Sequence, residues 1–334
     1  MPPTDAPALR YFTAVDVATA MPDLEGRLAL AERTLTALAQ GAELPPKIGV
    51  HPRPAGSFAH AMPAHARGAD PEGHEDLIGM KWVAGFATNN DIGLPAINAL
   101  VVLNDPLTGL PVAILDGGPI TAARTAAVSG VAIRRFAPRI AGRPPRAALI
   151  GAGVQGRSHL PVLGGLLPGV ELAVFDADPK RAETLAIEAR SVDGMASVSV
   201  AADARSAVAG ADVVVTVASF GPVRQVMTRD WLAPNALVVP VDYATYCAAE
   251  VARDAALFLV DHRDQFVSNR EAGLFEGYPD PSAMIGEAIL AGTARPPEGR
   301  VVVTHLGVGL ADVVFADAIV RRAEALGLGV ALRR

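Results

Sequence analysis

From Leu24 the apolar positions Leu28, Ala31, Leu35 and Leu38 recur at spacings of four, three, four and three. This is the buried stripe of one helix, with Gly41 as its stop. Residues 42–79 are rich in Pro, Gly, His and Ala, a text that predicts loops and short edge strands. The runs Lys81–Phe86, Ala96–Leu103 and Pro111–Leu115 predict strands, the last two joined by a hairpin turn over Asn104–Gly109, so an antiparallel or mixed sheet precedes the middle of the chain. Thr121 is placed to cap a long alanine-rich helix, and Pro138 with the segment AGRPPR marks its break.

Beyond that break the rhythm changes. Short apolar runs (Ala147–Ile150, Leu172–Phe175, Val213–Val217, Leu237–Val241, Leu257–Val260 and Val301–Thr304) alternate with helical or loop segments, the βαβ pattern of a parallel doubly wound sheet. Ala311–Leu326 reads as an amphipathic helix ending at Gly327, and its terminal position lets it fold back onto the first part of the chain.

Composition narrows the function classes. With 334 residues, 51% hydrophobic and 19% charged, the chain has material for about two domains and sits far from disordered compositions. A net charge of -6 supplies no basic field for a phosphate backbone, so no nucleic-acid partner is expected and the ligand is a small molecule. The one cysteine, Cys247, cannot form an intramolecular disulfide, and the start MPPTDAPALRYF has neither a basic nor an apolar leader segment, so a reducing cytoplasm is expected. No apolar run approaches the roughly 20 residues of a membrane span.

Candidate chemistry begins at AALI-Gly151-Ala-Gly153-Val154-Gln155-Gly156, a G-x-G-x-x-G directly after an apolar strand and at the start of a helix. Such glycines permit a tight turn, close approach of pyrophosphate and close helix–sheet packing, while the helix N-terminus presents amide N–H groups. Asp176 ends the next strand, 20 residues beyond Gly156, where a carboxylate accepts the adenosine ribose hydroxyls and favours NAD; Lys180 and Arg181 follow closely and leave NADP open. Lys81 and Arg124 each stand in an apolar context. Two cations converging on one site would suit a substrate carboxylate, arginine as a bidentate clamp and lysine as a point charge. Asp242 ends the strand ALVVPVD, where open α/β sheets bind ligands; a loop-capping aspartate is its plain alternative. No Cys/His ligand cluster and no H-E-x-x-H occurs, so no metal is expected.

The segments AMP at 61–63, GMKWV onward to Asn89, LTGLPVAILDG, TAARTAAVSG, LIGAGVQG, VDY at 241–243 and GLADVVFADA together resemble the ornithine cyclodeaminase/mu-crystallin family over nearly the whole length. The resemblance implies an α/β chain in which a Rossmann doubly wound dinucleotide-binding domain (128–310) is inserted into an α+β substrate-binding and dimerisation domain (1–127 plus 311–334), working as a homodimer. It implies Lys81 and Arg124 as ligands of the substrate carboxylate, with Met62 on the substrate side. Lys47 stands where ornithine cyclodeaminases have a third carboxylate-binding arginine, Asp242 matches the family's catalytic aspartate, and Lys81 shares the catalytic site. Thr125 and Gln155 match positions touching the cofactor, Gly151, Gly153, Val154 and Gly156 form its loop, and Val217, Ala218 and Ser219 line the nicotinamide pocket. His60 takes the place of a glutamate that holds the distal amine, and Tyr246 replaces a lysine after the catalytic aspartate. His305 falls near a position that is often serine and is in reach of the nicotinamide, or is simply a satisfied strand-end histidine.

The chemistry so implied is hydride transfer at a carbon bearing nitrogen, in an amino acid or a cyclic imine. Cyclodeamination needs a distal amine held against the α-carbon, and the changes at His60 and Tyr246 fall on that requirement. An NAD(P)-dependent imine reductase or amino-acid dehydrogenase is therefore placed ahead of ornithine cyclodeaminase. A non-catalytic dinucleotide-dependent binding protein is the reading from another class, opposed by the retention of Lys81, Arg124 and Asp242.

Overall fold

The computed structural model describes residues 8–219 and 223–333; the leader reading of the first residues falls partly on 1–7, outside the described residues. The chain divides into two compact units, one made of residues 1–124 with 308–334 and the other of 125–307.

The first unit opens with β1 (Leu9–Phe12), α1 (Ala14–Thr19) and α2 (Leu24–Ala39). The stripe read from the sequence is the buried face of α2: Leu28, Ala31, Leu35 and Leu38 are all in the core. Then follow β2 (Ile48–Val50), β3 (Phe58–Ala66), β4 (Leu77–Gly85), β5 (Ile97–Asn104) and β6 (Pro111–Asp116). The unit is completed by a C-terminal helix, Gly309–Ala325, and a last strand, Val330–Leu332. That last strand, β1, β6, β5, β4, β3 and β2 form one sheet in this order, antiparallel except for the parallel β1–β6 pair. The expectation of loops and short edge strands over 42–79 is corrected here. Residues 58–66 form a nine-residue strand paired on both sides, because Met62, Ala64 and Ala66 alternate inward even though the composition reads as turn-forming.

Helix α3 (Gly117–Phe136) starts four residues before Thr121. The Asp116 side chain accepts the Gly118 N–H at 2.9 Å, so this carboxylate takes the capping role assigned to Thr121, which stands one turn inside the helix.

The second unit carries β7 (Arg146–Ile150), α4 (Val154–Leu166), β8 (Val170–Phe175), α5 (Pro179–Ala189), β9 (Met195–Val200), β10 (Val213–Thr216), β11 (Leu237–Pro240), β12 (Leu257–Val260), β13 (Ala283–Met284) and β14 (Val301–Thr304). Its sheet runs β13-β12-β14-β11-β10-β7-β8-β9 and every pairing is parallel. The order reverses beside β7, the switch point at which doubly wound sheets bind ligands outside their carboxyl ends. Strands β10, β11 and β14 are wholly buried, as near-continuous apolar runs require when both faces are covered.

Candidate active site

In the first unit, β4 alternates burial residue by residue and Lys81 falls on the buried face with Leu77, Gly79 and Val83. A lysine there needs a partner. The C-terminal helix supplies it: Lys81 Nζ lies 2.7 Å from Asp312 Oδ2, and Arg124 Nε donates to Asp312 Oδ1 at 3.2 Å. Relative exposures are 1% for Lys81, 7% for Arg124 and 0% for Asp312. The helix comes this close because Gly309 has no side chain; a Cβ there would sit 2.5 Å from Met62 O. Met62 is the register partner of Lys81 across the β3–β4 pair and is itself buried.

Two positive charges thus share one carboxylate in a dry setting. Burial lowers the Lys81 ammonium to about 7, with Asp312 opposing the shift and the charges of Arg124 and Lys47 adding to it. His60 is half-buried on β3 and is lowered by burial first, then by the charges of Lys47, His51 and Lys81. Lys47, His60, Lys81 and Arg124 therefore lie in one positive region of this unit. Asp312 is the residue the sequence reading missed as a site group. Its signal was an aspartate inside the apolar helical run GLADVVFADA.

In the second unit the three loop glycines divide their work as a dinucleotide loop requires. Gly151 has φ +109°, and a Cβ on it would meet Val217 O at 2.7 Å, while one on Gly156 would meet Gly151 O at 2.3 Å. These two are fixed by the turn and by packing. Around Gly153, the N-cap of α4, a Cβ would meet nothing within 4 Å. The space beside the first turn is open where a pyrophosphate would approach, and no side chain caps that turn, so the residues fit a dinucleotide. Val154 is exposed and Gln155 half-buried on the same turn. Asp176 Oδ2 accepts the Ala152 N–H at 2.7 Å and Oδ1 accepts the Asp178 N–H at 2.9 Å. Each oxygen is oriented by one amide and retains acceptor capacity for a ribose hydroxyl. Lys180 and Arg181 are exposed, and Arg181 lies 3.7 Å from Asp178.

Asp242, directly after β11 and its following Val241, is 2% exposed. Neither carboxylate oxygen meets a donor at hydrogen-bond geometry among the described residues. Burial pushes its carboxyl up to about 6, held back only in part by the nearby Thr216 hydroxyl and the amides of Tyr246 and Ala218. The backbone after it is strained: Tyr243 (φ 51°) and Ala244 (φ 60°) are both left-handed, and the Thr245 N–H closes the turn onto Asp242 O at 3.0 Å. Two non-glycine residues in that region cost about 1–3 kcal/mol each and persist only where the surroundings fix them. Here the Tyr243 hydroxyl donates to Leu306 O at 2.8 Å and Arg224 donates to Tyr243 O at 3.1 Å.

Tyr246 is half-buried and its phenol is raised by burial and by the charges of Asp242 and Asp176. Thr125 is buried. Val217 and Ala218 are partly buried just beyond the end of β10, and Ser219 is exposed. His305 follows β14 and is 1% exposed. Cys247 is buried with its thiol pushed up to about 12 by burial, which makes it inert as a nucleophile at neutral pH. Among the described residues no group of three or more His, Cys, Asp or Glu could hold a metal, and no helix is long and apolar enough to cross a membrane.

The model of the ornithine cyclodeaminase/mu-crystallin family matches residues 8–325. The nodulation efficiency protein NfeD of Rhizobium meliloti is 35% identical over 328 residues, covering 96% of this chain and 97% of that protein. The ketimine reductase mu-crystallin of Mus musculus is 29% identical over 269 residues, 78% of this chain and 79% of that protein. Among solved structures, the Δ1-pyrroline-2-carboxylate reductase of Thermococcus litoralis in complex with NADH and L-proline superposes with a TM-score of 0.81, at 22% identity over 97% of this chain and 100% of that one. A doubly wound dinucleotide fold, a glycine loop with its acid and a match from end to end lead to one conclusion: the chain belongs to the ornithine cyclodeaminase/mu-crystallin family.

Proposed function

We propose that the protein is an NAD(P)-dependent oxidoreductase acting on the carbon–nitrogen bond of an α-amino acid or of an imine that bears a carboxylate. The observation that carries this reading is the Lys81–Asp312–Arg124 cluster. Two cations and one anion leave an excess positive charge in a buried position, which calls for an anion from outside. A substrate carboxylate answers that charge, draws the guanidinium of Arg124 into a fork contact and returns Lys81 to its ammonium form. Lys47 extends the positive region beside β3, and the charges that add to burial in keeping the His60 imidazole neutral fit an acidic substrate better than one with a second amine.

The glycine loop and Asp176 would hold the dinucleotide, with NAD favoured by a carboxylate on the ribose side. When bound, the nicotinamide ring supplies or accepts the hydride. Asp242 handles the proton: as the acid it donates to the imine nitrogen in reduction, and as the carboxylate it accepts a proton from the amine or from water in oxidation. A carboxyl raised to about 6 is suited to both directions near neutral pH. The mu-crystallin relative is named a ketimine reductase and the Thermococcus litoralis neighbour a pyrroline-2-carboxylate reductase, which supports the reductive direction.

The same reading includes a homodimer. On the face of the first unit's sheet opposite Lys81, Ile78, Trp82 and Leu100 are 39%, 43% and 41% exposed, and Trp82 and Leu100 are register partners. An apolar face of this kind on a sheet suits a self-complementary contact. A reducing cytoplasm is the compartment in which such an enzyme, with one buried thiol, would work. The function is tested by mixing NADH with cyclic imine carboxylates, and NAD+ with a panel of α-amino acids, while following the absorbance of the reduced nicotinamide. Turnover with a carboxylate-bearing imine or amino acid supports it; tight dinucleotide binding with no turnover in either arm would mark a binding protein.

A further inference from the structure

The second unit carries a matched pair of threonines at the carboxyl ends of its central strands. Strand β11 lies between β10 and β14, and both neighbours read Val-Val-Val-Thr and are buried throughout. Thr216 is the register partner of Pro240, the last residue of β11, whereas the pairing of β11 with β14 stops at Val238 and Val302. Pro240 has no amide hydrogen with which to continue that ladder. The Thr304 hydroxyl fills in on the β14 side by donating to Pro240 O at 2.7 Å.

The hydroxyl of Thr216 has no such use. It is buried and meets no partner at hydrogen-bond geometry among the described residues. An unpaired buried hydroxyl is costly, and valine, which fills the three preceding positions, has the same shape without it. What Thr216 adjoins is Asp242. Its carbonyl accepts the Val241 N–H at 2.8 Å. Register partners share a face of the sheet, and alternation returns to that face two residues beyond Pro240, at Asp242. The hydroxyl lies near enough to the carboxyl to act on it, and both Asp242 oxygens are as buried and as unpartnered as the hydroxyl.

An ionised carboxylate in that position needs a donor. The titratable side chains that feel its charge are Tyr246, Cys247 and Tyr278. All three are raised by burial first, with the Asp242 charge adding to it, so they are neutral at pH 7 and supply no countercharge. The Tyr278 hydroxyl is committed to Cys247 O at 2.6 Å, and the Cys247 thiol faces Ala248 O. On the other side of β11, His305 follows Thr304 and is hydrogen-bonded to Ser129 Oγ at 2.9 Å.

Resting on the oxidoreductase reading above, we propose that Thr216 is a positioning residue for Asp242: when that carboxyl ionises, the Thr216 hydroxyl turns to donate to it and holds the base form in place. A threonine at this one position of a valine strand thereby serves the group that handles the proton, and its twin on β14 serves the strand that carries that group.

The pair is tested on the full chain without dinucleotide, by carboxyl 13C NMR across pH, with the Asp242 signal identified by its loss in Asp242→Asn. Thr216→Val should raise the titration midpoint of Asp242 by about one to two pH units, what a hydrogen bond to a charged group is worth, and Thr216→Ser should leave it near the wild type. In thermal unfolding Thr216→Val should match the wild type below about pH 5 and fall behind it above about pH 7, since only the ionised carboxylate loses a partner. A hydroxyl with a merely structural role would cost stability at every pH. In turnover, the acid limb of kcat/KM in the oxidative direction should move with the midpoint. A midpoint unmoved by Thr216→Val, or moved as far by Thr216→Ser, would overturn the proposal. Absence of turnover with every imine and amino acid would instead remove the oxidoreductase reading, while the titration would still decide whether Thr216 holds Asp242.

Discussion

Asp312 holds Lys81 at 2.7 Å through one carboxylate oxygen and Arg124 at 3.2 Å through the other, so a single buried anion in the C-terminal helix organises both cations of the first unit. Its removal should cost more than the loss of either contact. Asp312→Asn leaves two buried cations facing each other, and a destabilisation of about 3–5 kcal/mol is expected in urea unfolding. An equally stable variant would show that the cations are neutralised by other groups.

Lys81→Met keeps the volume of the side chain and removes its charge. With Asp312 still paired to Arg124, folding should be largely retained, while kcat/KM for a carboxylate-bearing substrate should fall about tenfold to a hundredfold, the range of one charged hydrogen bond. The corresponding substrate analogue lacking a carboxylate should not discriminate wild type from variant.

The two perturbed groups fix a pH profile. Asp242 must ionise near 6 to act as a base and Lys81 loses its charge near 7. In the oxidative direction kcat/KM should therefore rise through about 6 and fall above about 7, a narrow bell whose acid limb disappears together with most activity in Asp242→Asn. The stability linkage has opposite signs for the two. The Asp242 carboxyl is raised in the fold, so its contribution is complete below the unfolded value of 3.8 and is lost as pH rises through about 6. The Lys81 ammonium is lowered, so its contribution is complete above 10.5 and is lost as pH falls through about 7. Unfolding free energies of Asp242→Asn and Lys81→Met measured across pH, against wild type, separate the two.

The loop glycines should respond differently to the same change. Gly153→Ala enters open space, so stability should change by less than about 0.5 kcal/mol while dinucleotide affinity falls on the order of tenfold, since close approach is lost. Gly151→Ala and Gly156→Ala would place a Cβ 2.7 Å from Val217 O and 2.3 Å from Gly151 O, and should lose about 1–3 kcal/mol of stability. Thermal unfolding with and without NAD+ distinguishes the classes.

The Rossmann-type unit was legible because its signals are local. Each apolar strand run is complete in itself, and the glycine loop sits within one βαβ step. Even so, β10 ends at Thr216 and β11 at Pro240, one residue short of the runs, because a run that is apolar and buried along its whole length does not mark where pairing stops. The first unit was less legible. Strand β3 is written in Ala, His and Pro, residues with weak strand preference, and is made a strand by pairing on both edges. The capping of α3 by Asp116 in place of Thr121 turns on which residue the sheet presents at the helix entry. Asp312 escaped notice for a related reason: 231 residues separate it from Lys81 in the chain, and only the close packing at Gly309 brings the helix to the strand.

The most direct measurement follows the hydride itself. With NADH deuterated at the transferring position of the ring and a cyclic imine carboxylate as substrate, the account predicts an amino-acid product carrying one deuterium at its α-carbon, detected by mass spectrometry and located by NMR. Product free of deuterium, or a dinucleotide left unchanged with every imine and amino acid supplied, would contradict it.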